Sequence, residues 1–357
     1  MMRLLAFALL VAHITVALCR KHQTSAPGAL PWPPSRLMPC LRVHHASTAV
    51  REVRTAVDAI FDAETSHAGS LSIEPHSSRN LAASFKVEDA MHIFYTACGE
   101  SAKEDVLLSV KALWLFASLS LARGDHYYHV HVLTDGAMHP DDLSFLQPLS
   151  HFKASTHPLF PKAANVFRPC ASERLYVHEH ADFKHLDKVL YLDEDSLWLD
   201  DPLELEWHFE EMQRRGAIWG LAEEAAAGPN WYTQDAVHPY YGERGLNSGV
   251  MLADLARMRK TAFSAERDDI MATWGRKGAL PWGDQDVLNV YLNGHREQAY
   301  VLPCKFNVRT DSLCSDVAPV VFHGNRALKD REEHQYSHLH ALFKWIRISD
   351  HEHSGRS

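Results

Sequence analysis

The sequence predicts an α/β protein with a mainly parallel central sheet flanked by helices. Three observations predict it. Strand-like and helix-like segments alternate from Met91 onward, as in a sheet with crossover helices. The apolar run Val189 to Leu192 leads directly into Asp193-Glu194-Asp195. That puts charge beyond the carboxyl end of a buried strand, where such sheets bind ligands. The chain of 357 residues, 46% apolar and 23% charged, has the composition of a globular protein with ample core.

The elements follow in order. His92 to Ala97 reads as a strand. Lys103 to Ala122 reads as a helix, because Val106, Val110, Leu113, Trp114, Ala117 and Leu121 recur at three and four residues. Tyr128 to Leu133 is a strand closed by the turn Thr134-Asp135-Gly136. In it His129 and His131 alternate with Val130 and Val132, which predicts an outward strand face rather than metal ligands. Asp141 to Gln147 and Ala171 to His180 are short helices. After the D-x-D strand come a helix from Leu203 to Arg215 and a strand from Ala217 to Leu221. Gly245-Leu246-Asn247-Ser248-Gly249-Val250-Met251-Leu252 joins a polar turn to a strand. Trp282-Gly283-Asp284-Gln285-Asp286 opens a helix with acids and amides, and Val320 to His323 is a strand that ends in a histidine.

The ends of the chain set its compartment. Leu4 to Leu18 is apolar and flanked by Arg3 and Arg20-Lys21. It is short for a membrane span, which needs ~20 residues. Ala17-Leu18-Cys19 offers a small-residue cleavage pattern, so residues 1–19 are a signal peptide or a signal anchor. Pro31, Pro33 and Pro34 mark a stem over 20–90, with a helix near 47–63; the catalytic body runs over 91–330 and a tail over 331–357. Six cysteines are too few for a disulfide scaffold. Cys304 and Cys314 flank a short loop and are the first candidate pair, with Cys98 and Cys170 as buried thiols. A net charge of −9 without a basic stripe excludes a nucleic-acid partner.

The D-x-D carries the chemistry. Alternate side chains of an extended chain share a side, so Asp193 and Asp195 converge while Glu194 points away. Two convergent carboxylates suit a hard divalent cation, and that cation can hold a diphosphate.

The ordered set D-x-D, N-S-G-V at Asn247 to Val250, D-Q-D at Asp284 to Asp286 and the late His323-Gly324 resembles the glycogenin-like glycosyltransferases of family 8. Arg168-Pro169-Cys170-Ala171-Ser172-Glu173-Arg174-Leu175 is similar to the K-P-C-A-S-Q-R-L stretch of the glucoside xylosyltransferases in that family. His238-Pro239-Tyr240-Tyr241-Gly242 is similar to their H-P-Y-Y-G. Ala97-Cys98-Gly99-Glu100, Pro303-Cys304 with Asn307 and Arg309, and His323-Gly324-Asn325-Arg326 match as well. The resemblance covers Met91 to Arg326.

It implies a GT-A-like single domain and a retaining transfer of xylose from UDP-xylose to glucose O-linked on an epidermal-growth-factor-like repeat, with an α1,3 bond. It also implies a type II membrane enzyme of the endoplasmic reticulum or Golgi lumen. Asp193, Asp195 and His323 would bind the metal, and mixed oxygen and imidazole ligands fit Mn²⁺. Arg174, Thr96, Ala97 and Cys98 would lie by the nucleotide. Asn247, Ser248, Asp284 and Gln285 would hold the donor sugar, the last two with catalytic roles. Asp284 is alternatively the N-cap of its helix. Gly324 would let the backbone approach a phosphate, with Asn325 and Arg326 beside it. Tyr240, Tyr241 and Trp282 would stack on the acceptor. Two departures stand out. Glu194 replaces a threonine, and Asn325-Arg326 replaces a lysine-proline-tryptophan, which leaves Arg326 or Lys329 to supply phosphate charge. The residues leave open another UDP-sugar donor, or a homologue that only binds glycans or proteins.

Overall fold

The computed structural model describes residues 90–120, 126–146, 151–161, 170–314, 318–325, 328–330 and 335–345. The segment 1–19, the stem to residue 89 with its helix near 47–63, and Arg326 lie outside the described residues. Two compact units divide the chain: Val87–Ala327 with Ile346–Ser357, and Met1–Lys86 with Leu328–Trp345.

The larger unit holds the sheet. Its strands are β1 (Ala90–Ala97), β2 (Tyr127–Thr134), β3 (Phe152–Pro158), β4 (Lys188–Leu192), β6 (Trp219–Glu223), β7 (Leu246–Asp254) and β8 (Ala299–Leu302), with β5 (Ser196–Trp198) and β9 (Val321–His323) forming a separate pair. Their order in space is β3-β2-β1-β4-β7-β6-β8. Within the seven-stranded sheet every pairing is parallel except those that β7 makes with β4 and β6, and β5 runs antiparallel to β9. All residues of β1 and β7 are buried. Both faces are therefore covered.

Helices pack around it: α1 (Gly99–Ser120), α2 (Glu204–Arg214), α3 (Trp231–Asp235), α4 (Leu255–Met258), α5 (Phe263–Ile270) and α6 (Asp284–Gly294). One core cluster joins Phe94, Tyr191, Trp219 and Met251 of the sheet to Phe263, Leu288 and Tyr291 of the helices. In the smaller unit the described residues form the turn Leu328–Asp330 and helix α7 (Gln335–Trp345).

The orientation of β7 positions the site. Leu192 pairs with Val250, and the Asp193 amide donates to the Gly249 carbonyl at 2.9 Å. Because β7 runs against β4, its first residues meet the end of β4. The small pair adds the third component, since Ser196 of β5 pairs with His323 of β9.

Several expectations are corrected. Instead of a helix over 171–180, the chain forms the short 3₁₀ turns Ala171–Leu175 and Val177–Glu179, followed by a third, Ala181–Phe183. Cys170 precedes them with a left-handed φ of 70° and is bonded to Cys98, so Cys98 and Cys170 are a disulfide and not thiols. Cys304 and Cys314 pair across their loop. The segment near 141–147 is 3₁₀ as well, Pro140–Leu146. β3 was not predicted, because Phe152 is its sole fully buried residue and the rest is polar. His129 and His131 do not face outward. They are buried, with Phe183 of the last 3₁₀ turn edge-on to His131 at 5.5 Å.

Candidate active site

Asp193 and Asp195 follow β4 in a turn, which the Ser196 amide closes on the Asp193 carbonyl at 3.1 Å, and not in the extended chain whose alternation was expected to bring them together. His323 Nε2 lies 3.3 Å from Asp193 Oδ2 and 3.3 Å from Asp195 Oδ1. Glu194 does not join this group, whose ligand atoms all lie within 4.8 Å of one another. The opposite ring nitrogen of His323 donates to Asn307 Oδ1 at 3.0 Å, which aims Nε2 at the carboxylates. A Cβ on Gly249 would collide with the His323 ring, so only glycine leaves room for the imidazole there. Two carboxylates and an oriented imidazole form a donor set that fits a divalent cation.

Arg174 links this cluster to α6. Its Nη2 bonds Asp193, its Nη1 donates to the Ser248 carbonyl, and its Nε lies 3.1 Å from Asp284 Oδ2. The guanidinium also sits over the Tyr191 ring at 4.5 Å. Ser248 Oγ donates to Asp284 at 2.9 Å. Asn247 Nδ2 donates to Gln285 Oε1 at 3.0 Å and to Glu224 Oε2 at 2.9 Å. Asn307 Nδ2 donates to Asn247 Oδ1 at 2.8 Å. One continuous polar network therefore joins His323, Asn307, Asn247, Gln285 and Glu224.

The charges are tightly balanced. Burial pushes the Asp193 carboxyl up, but Arg174 and His323 outweigh it and hold Asp193 well below the usual carboxylate range. Burial disfavours a charged His323, yet Asp195 and Asp193 push its pKa up to about 9. Burial raises Asp284 to about 6 against the pull of Arg174. Burial, with Asp195 and Asp193 beside it, pushes Glu194 up to about 8. The paired aspartates thus draw a positive charge to themselves, a proton on His323 where no cation is bound.

Residues 173–335 match the family model for glycosyl transferase family 8. That span contains Arg174, both aspartates, Asn247, Gln285 and His323. Over this span the chain is similar to the family 8 glycosyltransferases. Glucoside xylosyltransferase 1 of Mus musculus is 33% identical over 270 residues, covering 68% of this chain and 64% of that protein. Glucoside xylosyltransferase 2 of Mus musculus is 32% identical over 267 residues, covering 67% and 58%. The chain thus spans less than two thirds of the length of these relatives. The apo crystal structure of mouse Xyloside xylosyltransferase 1 is similar at a TM-score of 0.49 and 20% identity, over 67% of this chain and 98% of that one.

Within this site the D-Q-D divides its labour. Asp284 is not the N-cap of α6; Gly283 is, and the Asp284 carboxylate turns to Ser248 and Arg174. Asp286 is wholly buried and serves as an anchor. It accepts from Tyr232 at 3.0 Å and from the Trp282 amide at 2.7 Å, and meets His238 at 3.0 Å. Trp282 packs edge-to-face on Trp231 with centroids 5.0 Å apart, and Tyr240 packs on Tyr232 at 6.0 Å. Tyr241 is half-buried against the core.

At the end of β1, Thr96 bonds the Tyr191 hydroxyl, Ala97 is fully buried, and Cys98 is tied to Cys170. The Gly324 amide donates to the Asp195 carbonyl at 2.8 Å, and Asn325 Oδ1 is buried with no hydrogen-bond partner. Lys329 falls in the smaller unit. Sequence reasoning assigned no role to Glu224, Asn307 or Arg309. Asn307 and Arg309 stood in a matched stretch. Arg309 donates to the carbonyls of Glu224 and Asn307 and so fixes both. Glu224 follows β6 without any motif to mark it.

Proposed function

We propose that this chain is a retaining, metal-dependent glycosyltransferase that moves xylose from UDP-xylose to O-linked glucose on an epidermal-growth-factor-like repeat, forming an α1,3 bond. The convergence of Asp193, Asp195 and His323 carries the reading. The named relatives, which are glucoside xylosyltransferases, support the sugar. The catalytic domain is residues 91–330, in the lumen of the secretory pathway, with residues 1–19 as a signal anchor or a cleaved signal peptide.

Asp193, Asp195 and His323 would hold the cation, with Mn²⁺ as the fitting metal. When bound, it would neutralise charge on the diphosphate of the donor. The chain's own groups do the rest. Asn307 keeps His323 turned toward the aspartates. Arg174 fixes Asp193 and Asp284 relative to each other. Gly324 and Asn325 would face the phosphates, and the unpartnered Asn325 Oδ1 suits a donor group on the substrate. Thr96, Ala97 and Cys98 border the uridine. Asn247, Ser248, Asp284 and Gln285 hold the xylose hydroxyls. Tyr240, Tyr241 and Trp282 receive the acceptor glucose.

The donor bond is α and so is the product, so configuration is retained. A covalent route needs a free nucleophile under the anomeric carbon. Asp284 is engaged by Ser248 and Arg174, and the Gln285 amide is a poor nucleophile. Attack therefore comes from the face that UDP leaves. A phosphate oxygen takes the acceptor proton, and the Gln285 carbonyl oxygen, held by Asn247, stabilises the oxocarbenium charge.

A panel of UDP-sugars offered with O-glucosylated and bare repeat peptides tests this reading. UDP-xylose should outperform UDP-glucose strongly, and only on the glucosylated peptide. One methylene of contact gives ~1–3 kcal/mol, so exclusion of glucose must be steric. Equal rates with both donors would assign another sugar. No transfer from any donor would leave a binding homologue.

A further inference from the structure

On the same sheet, outside the D-x-D cluster, three histidines bring their ring nitrogens together. His92 of β1 and His129 of β2 are partners in register, and His131 follows two residues later on the same face. One nitrogen from each lies within 4.8 Å of the other two. All three side chains are buried, at 6%, 5% and 2% exposure. We propose that His92, His129 and His131 form a second metal site, taking a borderline divalent cation of the Zn²⁺ type.

The surroundings fit a metal site in two ways. First, His129 and His131 are each held by a hydrogen bond from outside the cluster. His92 Nδ1 meets His131 Nε2 at 2.9 Å; the other His131 nitrogen meets His157 Nε2 at 3.1 Å; His129 Nε2 meets Ser155 Oγ at 2.9 Å. His157 in turn lies 3.5 Å from Asp182. Metal-binding imidazoles are oriented by hydrogen bonds of this kind on the nitrogen that does not ligate. Second, the donors are all nitrogen, which selects zinc, copper or nickel over magnesium, calcium or manganese. Zn–N bonds put neighbouring nitrogens roughly 3.3 Å apart in a tetrahedron, so the closest pair needs to open by a few tenths of an ångström.

Phe94 stacks on His131 at 4.5 Å and Phe183 stands edge-on to it, closing the site to a large substrate. Its cation would be structural. It would clamp β1 to β2, whose carboxyl ends carry Thr96 and Thr134.

The test uses the full chain with Asp193→Asn and Asp195→Asn and no affinity histidines, so that the D-x-D cluster no longer competes. Equilibrium dialysis against Zn²⁺ with elemental analysis, and visible absorption after loading with Co²⁺, read the binding. One metal per chain and intense tetrahedral Co²⁺ bands are expected. His92→Gln should abolish both. His157→Asn, which removes only the outer bond to His131, should weaken binding about 10–100-fold. If His92→Gln does not fold, His131→Phe keeps a flat ring against Phe94 and takes its place. A folded parent that binds no Zn²⁺, or a folded ligand variant that binds as the parent does, overturns the proposal.

Discussion

Arg174 is the residue on which the candidate site turns. Buried, it opposes two carboxylates at once, Asp193 and Asp284. Removing one partner of a buried pair leaves charge uncompensated, at a cost of about 3–5 kcal/mol. Arg174→Ala is therefore expected to lower the denaturation free energy by that order, and Arg174→Lys to keep the charge but lose the fork that reaches Asp193, Asp284 and Ser248 together. Urea unfolding of both variants checks this. Gln285 makes a different case, since its bonds to Asn247 and Glu224 orient it without a charge. Gln285→Ala should slow transfer without abolishing it, and mass spectrometry during turnover should find no sugar on the protein. A xylosylated Asp284 or Glu224 would contradict same-face attack. At this scale the sequence was informative where residues stood in motifs. Asp193, Asp195, His323, Asn247 and Gln285 were legible because their spacing matched a family. Glu224 was not, because a carboxylate after a strand looks like any solvated strand end until Asn247 and Gln285 are seen to bond it.

Among the elements, the 3₁₀ segment Ala171–Leu175 departs most from its expected form. A helix from Ala171 to His180 would satisfy the apolar spacing, but the Cys98–Cys170 bond and the buried pair Glu173 and Arg174 fold the chain more tightly. Glu173 accepts from the Phe160 amide at 2.8 Å, and burial raises its pKa to about 7 despite that bond. The native state thus binds the Glu173 proton more tightly than the unfolded chain does. Its stabilising effect is complete below the unfolded value near 4.5 and is lost as pH rises through about 7. The similar family stretch has glutamine here. Glu173→Gln should leave the melting temperature nearly unchanged at about pH 4 and raise it at about pH 8, as scanning calorimetry at the two values would show. Equal effects at both would mean that Glu173 stays ionised throughout. The disulfide itself joins residues 72 apart. Replacing Cys98 and Cys170 together by alanine should cost about 2–4 kcal/mol, with urea unfolding as the check. The parallel strands were legible because both their faces are buried. β3 was not, because its polar face looks like loop.

At the scale of the whole molecule, the fold gathers side chains that are distant in sequence. Arg174 comes from the 3₁₀ turn, the aspartates from the end of β4, Asn247 from the start of an antiparallel β7, Gln285 from α6 and His323 from β9. The alternation of elements foretold a mainly parallel sheet, and the D-x-D pointed to the end of the sheet where the candidate site gathers. It did not foretell that β7 reverses direction, since strand direction follows from sheet order, which local spacing does not encode. Nor did it foretell the buried histidines, because alternation with valine marks a face without saying what covers it; here Phe183 does. The central claim is that Asp193, Asp195 and His323 hold a cation that transfer requires. The most direct measurement is transfer from UDP-xylose to an O-glucosylated peptide by the wild type and by Asp195→Asn, each after EDTA treatment and after Mn²⁺ is restored, with circular dichroism to confirm folding. The wild type should lose activity in EDTA and regain it with Mn²⁺, while folded Asp195→Asn stays near background in both. Full wild-type activity in the chelator, or full activity of Asp195→Asn, would contradict the account.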